Sequence, residues 1–239
     1  MGRSAIVVLG MHRSGTSSVA GALSMLGAAP PRTLMSPAQD NPRGFWESVV
    51  LADFNDRLLT AGGSRWDDPR PFDLAAVSGV DGFAQEAAHL LRAEFDDQSL
   101  IVMKDPRVCR LFPFWGEVLE ATGHDVAVVS PLRDPAEVAA SLTRRNGFPP
   151  RQGLGLWLRH VLDAEAASRG RPRVFLPWSD FLADWRGLRT RSGRGWPCRW
   201  TRRPGISPTR WMTSCRATCA IRRRARPATI RWRSAPGKP

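Results

Sequence analysis

Short runs of apolar, β-branched residues alternate with longer segments of helical periodicity over the first 186 positions of the chain. The apolar runs predict strands at 5–10, 99–103, 125–130 and 173–176. The amphipathic segments predict helices at 16–27, 45–59, 83–95, 109–122, 135–145 and 155–168. The stretches 29–44 and 61–80 have neither period and predict loops. This alternation is typical of an α/β fold, a three-layer α/β/α arrangement around a mostly parallel sheet.

The net positive charge of the chain lies in its last 53 residues. The 239-residue chain has 35 Lys and Arg against 22 Asp and Glu, a formal net charge of +13. Residues 187–239 contain 14 Arg, one Lys and no acidic residue, which leaves 20 basic and 22 acidic residues in 1–186. We therefore predict one domain over 1–186, of nearly neutral charge, followed by an irregular basic tail.

Several classes of protein do not fit this composition. No window approaches the roughly 18 apolar residues of a membrane span, and the first residues lead directly into a strand-like run without the features of a secretory signal. Cys109 is the single cysteine of residues 1–186, so a disulfide framework is not expected and a reducing cytoplasm is the default compartment. Cys215 and Cys219 have no accompanying histidine in the tail, and we expect no metal.

The segment from Gly10 to Ser17, GMHRSGTS, joins the first predicted strand to the first predicted helix. Backbone N–H groups in such a loop and at a helix N-terminus form a ready anion site. The two glycines have Walker A spacing, but Thr16 stands where an ATPase or GTPase has lysine. Arg13 is the available cation, and Ser14, Gly15, Thr16 and Ser17 can supply hydroxyl or backbone donors. A strand-to-helix turn without a ligand is the alternative interpretation.

A second segment with similar potential is VAVVSPLRDPAEVAASLTRRNG, residues 126–147. A predicted strand ends before Arg133, and Ser141 follows eight residues later, about two turns into the next predicted helix. Together with the Arg-Ser-Gly-Thr-Ser element, this segment resembles sulfotransferases of bacterial type that use 3′-phosphoadenylyl sulfate (PAPS). The resemblance implies a P-loop-like sulfotransferase fold over about residues 5–186. It also implies that the loop binds the 5′-phosphosulfate and that Arg133 and Ser141 bind the 3′-phosphate.

Two further segments extend the resemblance. NPRGFWE, residues 41–47, is similar to the segment that these enzymes place before the acceptor site, and IVMKDPR, residues 101–107, is similar to their strand-end Lys-Asp-Pro-Arg element. Lys104 is the only lysine of residues 1–186, and we assign it to assistance of the leaving phosphate.

Sulfuryl transfer needs a base that takes the proton of the acceptor as the new bond forms. Glu47 is the first candidate and Asp105 the second, with His12 in the loop as a third. Each has a structural alternative: a helix-terminal glutamate, a turn residue before proline and a packed histidine. The scheme requires no metal.

The basic tail allows two interpretations. Its 14 Arg and four Trp are compatible with a disordered arm that binds nucleic acid. The codons suggest instead a frameshift near 186–190. Read one base earlier, Trp211-Met212-Thr213 becomes a hydrophobic residue followed by two Asp, and each CGN arginine codon becomes Ala, Pro, Ser or Thr. We favour the frameshift, which would remove part of the donor site and impair activity.

The predicted function is therefore sulfuryl transfer from PAPS to a hydroxyl or amine acceptor, whether small molecule, carbohydrate or lipid. The alternatives are a nucleotide or small-molecule kinase with a degenerate loop, and a non-catalytic nucleotide or nucleic-acid binder acting through the tail. The acceptor and the oligomeric state are not specified by any motif.

Overall fold

In a computed structural model, residues 2–96 and 98–186 are described, and the tail 187–239 lies outside the described residues. Three predictions concern that tail and stay predictions. They are its separation from the domain, its action as a nucleic-acid-binding arm and its origin in a frameshift. The described part has the following elements: β1 Arg3–Val8, α1 Thr16–Met25, α2 Val49–Ala61, α3 Val80–Phe95, β2 Leu100–Lys104, α4 Val108–Ala121, β3 His124–Leu132, α5 Pro135–Asn146, α6 Pro150–Ala167, β4 Arg173–Pro177 and α7 Trp178–Ala183.

The described strands form one parallel sheet in the order β2-β1-β3-β4. Side chains of β1 alternate between its two faces, as the pleat requires. Ala5 and Val7 join the core cluster that includes residues of α2, α3 and α4, whereas Ile6 and Val8, equally buried, face the other side. Helix α1, which contacts β1, β2 and β3, contributes none of its residues to that cluster. Helices thus cover both faces of the sheet, and the predicted α/β fold is confirmed.

Most predicted elements lie within a few residues of their observed positions, and two differ by more. Helix α2 begins at Val49 instead of residue 45, because the Ser48 side chain accepts a hydrogen bond from the Leu51 N–H and caps the helix there. Helix α6 begins at Pro150 instead of 155, since proline is well suited to the first turn of a helix.

The topology places the polar segments at one edge of the sheet. Strand β1 lies between β2 and β3, and Val8 pairs with Lys104 on one side and Val129 on the other. The loop after β1, the turn after β2 and the turn after β3 therefore meet at the carboxyl edge, where parallel sheets bind ligands. No described helix is both long enough and apolar enough to cross a membrane.

Candidate functional site

The loop from residue 10 to residue 17 connects β1 to α1 and turns sharply at two residues. Arg13 has φ +70° and Gly15 has φ +89°, so both lie in the left-handed region. Ser14 N–H donates to the Met11 carbonyl at 3.1 Å, and Gly15 is the N-cap residue of α1. No side chain caps the first turn of α1, and the buried Ser14 hydroxyl has no partner among the described residues. The loop thus offers backbone and hydroxyl donors to an anion.

Gly15 is required at its position by a close contact as well as by its φ. A Cβ at this residue would lie 2.2 Å from the nearest atom of the Trp178 ring, which follows β4 at the start of α7. The same ring stacks on Phe181 with centroids 5.2 Å apart. Trp178 therefore holds the loop from the side of β4.

Arg13 links the two predicted phosphate-binding segments. Its Nε donates a hydrogen bond of 2.9 Å to the Oγ of Ser141, which α5 presents as a buried side chain. Its Nη1 lies 3.4 Å from Oδ2 of Asp40, and Nε of Arg145 lies 3.7 Å from the same oxygen. One carboxylate thus stands between two guanidinium groups, a geometry that phosphate or sulfate oxygens can also satisfy.

Arg133 follows β3 directly and reaches the loop backbone. Its Nη1 donates to the Arg13 carbonyl at 3.1 Å, and its Nε donates to Glu137 at 2.8 Å. The guanidinium carbon lies 5.9 Å from the centroid of the Trp178 ring. The Ser141 hydroxyl therefore accepts its hydrogen bond from Arg13, and Arg133 donates to the backbone carbonyl of Arg13.

Lys104 and Glu47 form a buried ion pair below the loop. Lys104 is the last residue of β2, and its Nζ donates to Oε1 of Glu47, to the Phe45 carbonyl at 3.1 Å and to Ser17 Oγ at 3.3 Å. Both side chains of the pair are at most 4% exposed. Burial raises the pKa of Glu47 above its ordinary value, and the charge of Lys104 opposes this rise. The charge of Asp105 raises the pKa of Glu47 further, and that of Arg107, whose Nη1 lies 3.9 Å from Oε2, lowers it.

Asp105 faces the interior instead of the cavity that Glu47 lines. Its Oδ2 accepts from the side-chain amide of Asn55 at 3.1 Å, and Oδ1 accepts from the backbone and the guanidinium of Arg107 at 2.9 and 3.1 Å. Asn55 in turn accepts from the indole N–H of Trp115 at 2.7 Å. These contacts fix the turn after β2 and anchor α2 and α4 to it.

His12 lies beside the same cavity with one ring nitrogen unpaired. Its ring packs edge-on against Trp66, with centroids 4.7 Å apart. Nε2 is buried and has no partner among the described residues. Burial, with the positive charges of Arg107, Arg145 and Lys104, holds the pKa of His12 well below its ordinary value. A neutral imidazole at this position can exchange one hydrogen bond with a ligand.

A cavity of about 500 Å³ opens between the loop and the segment that precedes α2. Its walls combine four charged groups, two other polar side chains and three apolar ones. They are His12, Met35, Ala38, Gln39, Asp40, Phe45, Glu47, Arg107 and Arg145. The cavity is large enough for a small organic group and presents two carboxylates and two guanidinium groups to it.

The structure thus brings together His12, Glu47 and Lys104 of the predicted catalytic residues, and Arg13 with Ser141 of the predicted donor-binding residues. Sequence reasoning gave no role to Arg145, Asp40 or Arg107, the last residue of the Lys-Asp-Pro-Arg element, although all three line the cavity. Arg145 follows Ser141 by four residues, a spacing that places both on one side of a helix and could have identified it. Asp40 lies in an irregular loop, where no periodic signal exists.

Among known proteins, matches are found among solved structures. No family model matches the chain, and no curated protein matches it. Among solved structures, it is similar to the sulfotransferase domain of the olefin synthase of Synechococcus PCC 7002, at 17% identity and a TM-score of 0.48, over 80% of this chain and 72% of that one. It is also similar to the sulfotransferase STF1 of Mycobacterium tuberculosis H37Rv, at 17% identity and a TM-score of 0.47. That match covers 90% of this chain and 72% of that one.

Proposed function

We propose that the chain transfers a sulfuryl group from PAPS to a hydroxyl or amine group of an acceptor. The observation that carries this proposal is the hydrogen bond between Arg13 and Ser141. It joins the two segments whose motifs resemble the 5′-phosphosulfate and 3′-phosphate sites, and Arg13 also pairs with Asp40, a residue of the cavity that Glu47 lines. A donor with two separate anionic groups fits such a pair of segments.

The donor would be held by the loop and by guanidinium groups. The backbone N–H groups of Gly15, Thr16 and Ser17, the unpaired Ser14 hydroxyl and Arg13 would bind the phosphosulfate. Arg133 and Ser141 would bind the 3′-phosphate. We add Arg145 to this set, because it lies across Asp40 from Arg13. An anion arriving here would replace the Asp40 carboxylate between the two guanidinium groups.

Glu47 is the residue that we assign as the base. Its carboxylate would take the proton of the acceptor while the acceptor oxygen or nitrogen bonds to sulfur. The bond between sulfur and the bridging phosphate oxygen breaks, and adenosine 3′,5′-bisphosphate leaves with the electron pair. Asp105 is less suited, because hydrogen bonds engage both of its oxygens and it is absent from the cavity wall. His12 fits a hydrogen-bonding role towards the sulfuryl oxygens.

Lys104 would act on the base and on the loop together. It binds Glu47 and the hydroxyl of Ser17, whose backbone N–H belongs to the proposed donor-binding set. Movement of the ammonium group towards a departing phosphate would release Glu47 to bind the proton. This coupling fits the assignment of Lys104 to the leaving group.

A kinase is the second candidate, since the Lys104 ammonium lies 3.3 Å from Ser17 Oγ and so supplies a cation to the loop from a neighbouring strand. Calorimetry of the full chain separates the two functions. Binding of adenosine 3′,5′-bisphosphate, with sulfuryl transfer to hydroxyl acceptors, is the expected result. Binding of ATP with Mg²⁺ and no affinity for the bisphosphate would overturn the proposal. Loss of DNA binding on deletion of residues 187–239, with no nucleotide bound by either form, would favour a nucleic-acid binder.

A further inference from the structure

Residues 38–44 lie just before Glu47 along the chain and fold back on themselves, and we call them the strap. Ala38 and Asn41 exchange two backbone hydrogen bonds, of 3.3 and 2.9 Å, and Gly44 N–H donates to the Asn41 carbonyl at 3.0 Å. These three bonds are internal to the strap. Its position in the molecule therefore depends on the contacts that it makes with other elements.

Asp40 and Asn41 attach the strap to the loop after β1 and to α5. Nη1 of Arg13 donates to the Asp40 carbonyl at 3.2 Å and lies 3.4 Å from Oδ2 of the same residue. Nε of Arg145 lies 3.7 Å from that oxygen. The side-chain amide of Asn41 donates to Ser17 Oγ at 3.3 Å. The strap thus binds three residues of the proposed donor-binding set.

The Asp40 carboxylate lies where several positive charges meet. Burial lowers the pKa of Arg13, and the charges of Arg145, Arg133 and Arg144 lower it further, whereas the charge of Asp40 raises it. A position shared by guanidinium groups favours an anion. The chain's own carboxylate makes contacts there of the kind that a phosphate or sulfate oxygen makes.

The contacts of the Asp40 carboxylate are of a kind that a ligand can replace. Its side chain is 35% exposed and those of Arg13 and Arg145 are 27% exposed, so solvent screens both ion pairs. Their distances of 3.4 and 3.7 Å exceed the roughly 2.7–2.9 Å of a charge-assisted hydrogen bond. A phosphate or sulfate group is not held back by a backbone and can approach both guanidinium groups more closely.

We propose that Asp40 is an internal competitor of the donor. Without the donor its carboxylate occupies the position between Arg13 and Arg145, and an anionic group of the donor displaces it and frees the strap from the loop. Adenosine 3′,5′-bisphosphate keeps the phosphates of the donor, so the return of Asp40 promotes release of this product after each transfer. The inference rests on the proposed function, because it assigns Arg13 and Arg145 to the donor.

The same displacement changes the cavity. Ala38, Gln39 and Asp40 of the strap belong to its walls. The donor therefore alters the wall of the cavity before an acceptor binds, which favours an order in which the donor binds first.

Calorimetry of the full chain with adenosine 3′,5′-bisphosphate tests the competition. Asp40→Asn keeps the shape of the side chain and removes its charge. We expect this variant to bind about 10-fold more tightly, the gain if the carboxylate occupies the position in about nine-tenths of the ligand-free molecules. Asp53→Asn is the matched control and should leave the affinity unchanged, because Asp53 also pairs with an arginine, Arg57, at 3.3 Å, but on α2. A side chain that only held the loop in place would give weaker binding in Asp40→Asn, and that result would overturn the inference.

Pyrophosphate, an anhydride of two charged groups, is a second probe that separates this inference from the proposed function. Equal binding of the bisphosphate by the wild type and Asp40→Asn would overturn the inference alone. If neither protein bound the bisphosphate and Asp40→Asn bound pyrophosphate more tightly than the wild type, the proposed function would fail and the competition by Asp40 would stand. No binding of either anion by either protein would contradict both.

Hydrogen exchange read by mass spectrometry follows the strap itself. The amides of Ala38, Asn41 and Gly44 donate within the strap, and a strap released from the loop loses the support of its neighbours. The bisphosphate should therefore speed exchange in 38–44 while it slows exchange in 14–17, and in Asp40→Asn the strap should exchange fast without ligand. Unchanged or slower exchange in the strap on binding would show that the donor does not displace it.

Discussion

Nε of Arg13 donates a hydrogen bond of 2.9 Å to Oγ of Ser141, a residue 128 positions further along the chain. The contact joins the loop after β1 to the helix after β3, and it is possible because the sheet order places these strands side by side. The positions of the two groups are therefore coupled. A ligand that binds one of them also alters the surroundings of the other.

Arg13→Ala should weaken binding of adenosine 3′,5′-bisphosphate by about 10- to 100-fold. The change removes charge-assisted hydrogen bonds, each worth about 1.5–3 kcal/mol, and leaves Ser141 without its donor. Calorimetry measures the affinity, and Arg92→Ala on the exposed side of α3 is the control. Unchanged affinity of the Arg13 variant would remove the loop from the donor site.

Glu47→Gln should leave the affinity for the bisphosphate within about threefold and lower kcat by about 100- to 10,000-fold, the usual contribution of a general base. The amide keeps the shape of the side chain and a hydrogen-bonding oxygen for Lys104. A radiolabelled transfer assay gives the rate. If the variant kept most of its turnover, the base would have to be another group, with His12 as the next candidate.

Lys104→Met should move the acidic limb of the kcat profile to higher pH. Burial already raises the pKa of Glu47, and the ammonium group of Lys104 opposes that rise. Without this charge the folded-state pKa rises further, so the carboxylate form appears only at higher pH. The pH–rate profiles of the wild type and the variant measure the shift. A limb that stayed in place or moved to lower pH would show that Glu47 does not control the rate.

Gly15→Ala should lower the free energy of unfolding by about 2–4 kcal/mol, because the new methyl group meets both the Trp178 ring and a left-handed φ. Gly79→Ala is the matched control, since Gly79 has φ +72° and no atom within 4 Å of the new Cβ. It should cost about 1–2 kcal/mol from the backbone alone. In a Trp178→Ala background, the loss of stability caused by Gly15→Ala should fall to about that caused by Gly79→Ala. Urea unfolding of the three single variants and the two double variants tests this.

His160 should make the domain less stable as the pH falls. The side chain is fully buried and burial lowers its pKa to about 4. The unfolded chain therefore binds a proton near the ordinary value of about 6.5, and the folded chain only near 4. The contribution of His160 to the free energy of unfolding is therefore fully present above pH 6.5. It is lost as the pH falls from 6.5 to 4, and the loss is about 3 kcal/mol.

Chemical unfolding of wild type and His160→Leu measures that loss. The variant should change the stability at pH 8 only through packing, and its stability should fall less than that of the wild type between pH 6.5 and 4.5. Parallel pH profiles for the two proteins would exclude His160 as the source of the acid sensitivity.

The order of strands and helices up to β4 could be predicted because local patterns control it, whereas α7 was not predicted. The period of apolar residues identified β1 to β4, and the loop after β1 and Arg133 after β3 were assigned correctly to strand ends. The beginnings of α2 and α6 were less predictable, since Ser48 and Pro150 are weak signals that compete with neighbouring helix formers. The directions of the candidate site's side chains could not be predicted, and the roles assigned to those residues stay predictions.

By itself the sequence determined the alternation of strands and helices, the location of the net positive charge in residues 187–239 and the polar groups at the ends of three strands. Only the tertiary structure decided that Arg13 binds Ser141, that Lys104 binds Glu47 and that Asp105 turns away from the cavity. The reason is physical. Hydrophobic periodicity acts through each residue's neighbours in sequence, whereas the direction of a polar side chain depends on partners that the packed sheet brings from distant positions.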